Sequence, residues 1–256
     1  MMKTVLTWGC LVGLVAMVCT GRATTNTEAL LLPPVETIVE RSWARAQKEP
    51  ENDRAFNAAY GYTRTKVTEF KNVRGYLTKR KEKITINDPA ASNAGGITNF
   101  VEGSPWATNR VSSDVSSHKR ELLSDTNLVR RYACVLKGRE LMDGRPVFVV
   151  DFKPANRKSS GSTLKDRFLN KAAGRLWVDE EDYALVKADV HLTEGVSVFG
   201  GLVAAVHKFN LSFERERTED GLWFTQSVIW HLEVREVIVD RIVDSVETRT
   251  DVRRVR

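Results

Sequence analysis

The chain has 256 residues, and its 39 lysine and arginine residues outnumber its 33 aspartate and glutamate residues by six. Basic and acidic residues alternate, as in Arg215, Glu216, Arg217 and Glu219, so the sequence shows no concentrated basic stripe and we predict no nucleic-acid partner. A hydrophobic fraction of 42% suffices for a core, and the length suits one large undivided β domain.

The first 23 residues have the layout of a secretory signal. Lys3 precedes an apolar run from Val5 to Val18, and the small residues of Thr20-Gly21-Arg22-Ala23 follow it. The run is shorter than the roughly 20 residues that span a bilayer as a helix. We therefore predict that residues 1–23 are a removed signal peptide and that the protein is exported to the periplasm.

The number and positions of the cysteines predict a mature chain without an internal disulfide bond. Cys10 and Cys19 lie in the predicted signal, so the mature protein keeps only Cys134 and forms no internal disulfide. Cys19 follows Met17 and Val18, which suits a lipidation site poorly, so a soluble mature protein is predicted. Cys134 lies in an apolar, strand-like segment, where a buried, inert thiol is the expectation.

Residues 24–59 are predicted to form an N-terminal segment with one helix. After Pro33-Pro34, apolar side chains recur at helical spacing, which indicates one amphipathic helix ending near Pro50. The apolar set is Val35, Ile38, Val39, Trp43 and Ala46.

Residues 60–256 are predicted to form a single antiparallel β domain. Strands from Tyr60 to Phe70 and from Tyr76 to Ile86 form a first hairpin. Residues 88–117, rich in serine, glycine and asparagine, are predicted to be a flexible excursion. Asp143-Gly144 between two apolar runs indicates a second hairpin.

A short helix is predicted after this hairpin, with Thr163 as its cap and Gly174 at its end. Strands follow from Arg175 to Glu180 and from Ala184 to Leu192. In all, eight or nine sequential antiparallel strands and two helices are expected, an α+β architecture dominated by one sheet.

The last strands alternate most clearly between apolar and polar residues. We predict that one apolar face binds a ligand, with His207 as the polar residue of that cavity. The segment from Val237 to Val255 is predicted to be a closing or edge strand. The predicted cavity residues are Val190, Phe209, Leu211, Phe213, Val228, Trp230 and Leu232.

No catalytic or metal-binding motif is found. The four histidines, His118, His191, His207 and His231, show no metal-ligand spacing, and no Gly-x-Ser-x-Gly or phosphate-binding glycine motif occurs. We therefore predict a protein that is not an enzyme and that has no metal and no cofactor.

The strand pattern of the C-terminal half resembles that of a known bacterial superfamily. The stretches that carry the resemblance are Gly138-Arg139-Glu140, Asp143-Gly144-Arg145-Pro146, Asp151-Phe152-Lys153-Pro154, Gly174-Arg175-Leu176-Trp177-Val178-Asp179, Tyr183-Ala184-Leu185-Val186 and Asp220-Gly221-Leu222-Trp223-Phe224-Thr225. Together they resemble the outer-membrane lipoprotein-sorting proteins of the LolA, LolB and LppX superfamily.

The resemblance implies a half-open antiparallel β-barrel whose concave face is covered by helices. It further implies that this face binds a lipid, an acyl chain or a lipoprotein in the periplasm, with transient contact to the membrane or to envelope proteins. The sequence departs from LolA in the excursion at residues 88–117, and the functional arginine of the carrier has no counterpart here.

Three functional hypotheses remain open. The first is a periplasmic carrier for lipids or other amphiphiles. The second is a protein-binding or structural envelope module, similar to sensors with related domains, that transports no lipid. The third is a secreted hydrolase, which would require at least two of His207, His231, Asp179 and Glu214 to converge in one cleft.

Overall fold

The computed structural model describes residues 32–91, 98–101, 131–155, 164–198, 204–236 and 239–255. The chain divides into two units, Met1–Leu32 and Pro33–Arg256, and every element described below belongs to the second. The predicted signal peptide, residues 1–23, lies outside the described residues. None of the helices in the described ranges is long and apolar enough to cross a membrane.

Three α-helices, one short 3-10 helix (Pro89–Ala91) and eleven strands make up the described fold. The helices are α1 (Val35–Ala46), α2 (Glu49–Ala59) and α3 (Leu164–Leu169). The strands are β1 (Tyr60–Lys71), β2 (Leu77–Asn87), β3 (Thr98–Val101), β4 (Tyr132–Met142), β5 (Arg145–Pro154), β6 (Ala172–Asp179), β7 (Leu185–Leu192), β8 (Val196–Val198), β9 (Ala204–Arg217), β10 (Trp223–Glu236) and β11 (Val239–Arg254).

All strands belong to one antiparallel sheet that does not close. The order is β3-β2-β1-β11-β10-β9-β7-β6-β5-β4, with β8 paired to β9 beside this path. The path ends at β3 and β4, which do not pair with each other in the described part of the chain. The predicted α+β class with a half-open antiparallel barrel is confirmed.

The predicted hairpins form at the expected turns. Between β1 and β2, the Asn72 side-chain oxygen accepts hydrogen bonds from the backbone N–H groups of Arg74 and Tyr76. Between β4 and β5, Asp143 and Gly144 both have positive φ, 49° and 76°, as a two-residue hairpin turn requires.

The N-terminal segment contains two helices where the sequence predicted one. The prediction took Pro50 as the end of a helix, but Pro50 lies in the first turn of α2, where its missing N–H is not needed. The α1 helix ends earlier, at Ala46.

One further prediction, which rested on a glycine, is wrong. Gly174 does not end α3, which stops at Leu169; it lies inside β6, where a Cβ atom would overlap the carbonyl oxygen of Asp189 on β7. Most of the predicted excursion, residues 88–117, lies outside the described residues, and its flexibility stays a prediction; the described part contains β3, which pairs with β2.

The last strand, β11, is not an edge strand. It lies between β1 and β10, and its pairing with β1 runs from Tyr60 opposite Arg254 to Lys71 opposite Ile242. Charged and β-branched residues suggested an edge, but here they serve a central strand whose two neighbours come from opposite ends of the sequence.

The core is divided among the helices. Ile38 of α1 is fully buried against Phe148, Val150 and Val178 of β5 and β6. Phe56 of α2 stacks on Tyr60 and Phe224, with ring centroids 5.2 and 5.0 Å apart.

Polar contacts hold α2 against the start of β10. The buried Asn52 side chain donates to the Trp223 carbonyl oxygen at 2.6 Å and accepts from the Trp223 N–H at 3.0 Å. Nearby, the buried Arg215 forms an ion pair with Glu49. These contacts satisfy backbone groups of β10 that lie out of reach of water.

Replacing Asn52 by alanine is therefore expected to lower the free energy of unfolding by about 2 kcal/mol, because the buried Trp223 N–H loses its Asn52 partner and the Trp223 carbonyl oxygen is left with the longer 3.4 Å hydrogen bond from Arg215. Urea denaturation measures this loss. Asp53→Ala, an exposed change on the same helix, is the control and is expected to cost about 0.5 kcal/mol or less. Equal losses in the two variants would contradict this role of Asn52.

Candidate functional site

Strand pairing brings the seven predicted cavity residues together on one face of the sheet. Val190 lies opposite Leu211, and Leu211 lies opposite Trp230. Phe209 lies opposite Leu232, and Phe213 lies opposite Val228. Directly opposed residues share a face, so the seven form a continuous apolar surface across β7, β9 and β10.

Helices α1 and α3 pack on this same face. Ile38 of α1 contacts Phe148 and Val178, which by strand register share a face with Val190. Phe168 of α3 meets Phe209 edge-on, with ring centroids 5.1 Å apart. We call this side of the sheet the helix-bearing face and the other side the opposite face.

Coverage of the helix-bearing face is uneven. Under α1, Ile38, Phe148, Val150 and Val178 are at most 2% exposed and form a sealed core. Each of the seven predicted cavity side chains is only half-buried. The described residues therefore seal the apolar face at β5 and β6 and leave it partly open at β7, β9 and β10.

His207 lies in a β-bulge, where counting alternate residues does not fix its face. The register between β9 and β10 shifts between Glu233 and Val234, and His207 is the unpaired residue. Its side chain is 48% exposed, and its Nε2 lies 3.8 Å from Asp240 Oδ1. Its role as the polar residue of a cavity stays a prediction.

A shallow hollow of about 260 Å³ lies at β7, β9 and β10, and residues of both faces line it. Ser212 donates a hydrogen bond to Asp189 at 2.7 Å across the β7–β9 pair. The residues lining the hollow are Asp189, Val190, His191, Asn210, Leu211, Ser212, Ile229, Trp230 and His231.

His231 lies between two carboxylates on this opposite face. Its Nδ1 is 2.6 Å from Asp244 Oδ1 and its Nε2 is 3.1 Å from Glu233 Oε1. Burial lowers the pKa of the imidazole, but the hydrogen bonds to Glu233 and Asp244 outweigh it, so the pKa of His231 is raised. Asp244 also binds Lys71 at 2.9 Å.

The residues of the hydrolase hypothesis do not converge. Asp179 is fully buried against Arg145 at 2.8 Å, and Glu214 pairs with Lys187 at 3.3 Å. His207 and His231 have the separate partners given above. The convergence that this hypothesis requires is absent among these four residues.

Neither Cys134 nor a metal-binding cluster provides a candidate catalytic centre among the described residues. Burial and the nearby Glu36 raise the pKa of the half-buried Cys134, which disfavours the reactive thiolate. Within the described ranges, no group of three or more histidine, cysteine, aspartate or glutamate side chains could hold a metal ion.

Comparisons with known proteins find similarity only among solved structures. No protein-family model and no curated protein matches the sequence. A putative outer membrane lipoprotein-sorting protein domain from Vibrio parahaemolyticus matches with 13% identity and a TM-score of 0.32, covering 84% of this chain and 93% of that one.

Two further matches are similar in quality. A LolA superfamily protein from Nitrosomonas europaea has 12% identity and a TM-score of 0.29, over 77% of this chain and 86% of that one. The Pseudomonas aeruginosa MucA/MucB complex has 9% identity and a TM-score of 0.24, over 84% and 94%. The superfamily named from the sequence is thus among the matches. At such low identities and TM-scores, these similarities carry no argument about function.

The His231 contacts predict a pH-dependent contribution to stability. Because the folded-state pKa is raised above the unfolded value of about 6.5, protonation of His231 stabilises the fold fully below that value and the gain is lost as pH rises through the folded pKa. The variant His231→Gln should therefore lose more unfolding free energy at about pH 5.5 than at about pH 9. Urea denaturation at both pH values checks this. A loss that does not change with pH would contradict it.

Proposed function

We propose that the protein binds an amphiphile in the bacterial periplasm and holds its acyl chain on the helix-bearing face. The predicted signal peptide supports the location. The observation that carries the proposal is the row of seven apolar side chains, aligned by strand pairing and each only half-buried.

Burial of apolar surface area supplies the free energy of binding. Apolar surface removed from water contributes about 25 cal/mol per Å², and the half-buried aromatic and aliphatic side chains of β9 and β10 have such surface left to bury. An acyl chain lying across them removes this surface without any change of strand pairing. A lipid, a free acyl chain and the acyl groups of a lipoprotein all offer this chemistry, so a lipoprotein-carrier function belongs to the same proposal.

The separation of the four titratable residues supports binding without catalysis. Asp179, Glu214, His207 and His231 are each engaged in separate contacts. Binding on an apolar face needs none of them, and no cofactor is needed either.

The matched pair Leu211→Asn and Ile229→Asn tests the proposal. Leu211 lies on the helix-bearing face, and Ile229, which is 49% exposed, lies on the opposite face beside Trp230. Because a buried leucine contributes about 1.5–3 kcal/mol, Leu211→Asn should weaken binding of a fluorescent fatty acid about tenfold or more. Ile229→Asn should leave the affinity unchanged.

Circular dichroism of both variants checks that each is folded before the titration. Equal affinities in the two folded variants, or no binding by the parent protein, would contradict the proposal.

The alternative function is a protein-binding envelope module, and one observation favours it. Strand β4 is an edge of the sheet and exposes Val135 by 52% and Leu141 by 75%. Exposed edge strands can accept an added strand from a partner. Recovery of a stoichiometric protein partner by lipid-free protein, lost in Leu141→Lys, would support this alternative.

A further inference from the structure

Three lysines of β2 point to the helix-bearing face. Strand register pairs Lys79 with Phe70, Lys81 with Thr68 and Lys83 with Lys66. We call Lys66, Lys79, Lys81 and Lys83 the lysine strip. In the sequence the strip is hidden, because Arg80 and Glu82 alternate with its members and belong to the opposite face.

Strand pairing joins the lysine strip to the predicted acyl site in continuous rows. One row runs across six strands and passes from a cation through two hydroxyl side chains to apolar residues. With strands about 4.8 Å apart, this row spans about 24 Å, and Lys81 lies about 14 Å from Trp230. The row is Lys81, Thr68, Ser245, Trp230, Leu211 and Val190.

The cations of the two faces differ in how they are neutralised. On the opposite face, Lys71 pairs with both Glu69 and Asp244. On the helix-bearing face, Lys66, Lys79 and Lys81 form no ion pair with any described residue. Glu247, opposite Lys66, is already paired with Arg64 at 2.9 Å. Among the described residues, Lys66, Lys79 and Lys81 therefore leave positive charge without an ion-pair partner on the face that also carries the apolar surface.

Two cations, Lys81 and Arg249, lie over aromatic rings near the lysine strip. The Lys81 ammonium lies 5.6 Å from the centre of the Phe70 ring, a cation–π distance. Arg249, opposite Arg64, lies over the rings of Phe56 and Tyr62, and its buried Nε has no hydrogen-bond partner among the described residues.

We propose that the ligand is an anionic amphiphile whose phosphate or carboxylate head contacts the lysine strip while its acyl chain lies on the seven apolar residues. This inference rests on the proposed function and adds the charge and the direction of the ligand. The head lies over β2 and β1, and the tail runs toward β7.

Two lysophospholipids with the same acyl chain test the inference. Lysophosphatidylglycerol has a net negative head, and lysophosphatidylcholine has a neutral, zwitterionic one. The parent protein should bind the first about tenfold more tightly, because only the net negative head gains from the uncompensated cations. Salt at about 1 M, where the screening length is about 3 Å, should remove most of this preference.

A double variant and a charge-matched control locate the effect. Lys79→Gln with Lys81→Gln should reduce the affinity for lysophosphatidylglycerol about tenfold and leave lysophosphatidylcholine unaffected. Lys137→Gln with Lys153→Gln removes the same charge from exposed positions on β4 and β5 and should change neither affinity.

The other outcomes overturn the inference in distinguishable ways. Equal binding of both lysophospholipids would refute the charge preference and leave the proposed function standing. Binding of neither would refute the proposed function as well. Inorganic phosphate that competes as strongly as the anionic lysophospholipid would show a site for free anions and not for an amphiphile.

Discussion

The pairing of β1 with β11 is the constraint on which the rest of the structure depends. It joins the N-terminal hairpin to the C-terminal strands, over a register that runs from Tyr60 to Lys71 on one strand. Because a shift of one residue would turn every side chain to the other face, this register decides which side the lysines of β2 occupy. It places them on the same face as Trp230 and Leu232, the face that the helices partly cover.

The two faces of the sheet therefore have different chemistry. On the opposite face, charges neutralise one another locally, as Lys187 does with Glu214 and Arg175 does with Asp151. On the helix-bearing face, a sealed core under α1 continues into a partly open apolar surface and then into uncompensated cations. A gradient of this kind matches the two ends of an amphiphile and gives the sheet a direction for binding.

Local patterns in the sequence predicted much of this arrangement. The alternation of Phe209, Leu211 and Phe213 with polar residues identified the apolar face, and Asp143-Gly144 identified a hairpin. Features that depend on long-range strand pairing could not be predicted from the sequence. β11 is central because β1 lies beside it, and the lysines of the strip share a face with the apolar residues only because β2 pairs with β1. Pro50 and Gly174 were misread because a helix start and a close strand approach each depend on neighbours that the sequence does not display.

The central claim is that the acyl chain lies on the helix-bearing face. Photocrosslinking with a diazirine-bearing fatty acid, followed by peptide mass spectrometry of β10, tests it most directly, because alternate residues of this one strand belong to different faces. The structure predicts labels on Val228, Trp230 and Leu232. Labels on Ile229, His231 and Glu233, or labels spread evenly over both sets, would contradict the claim.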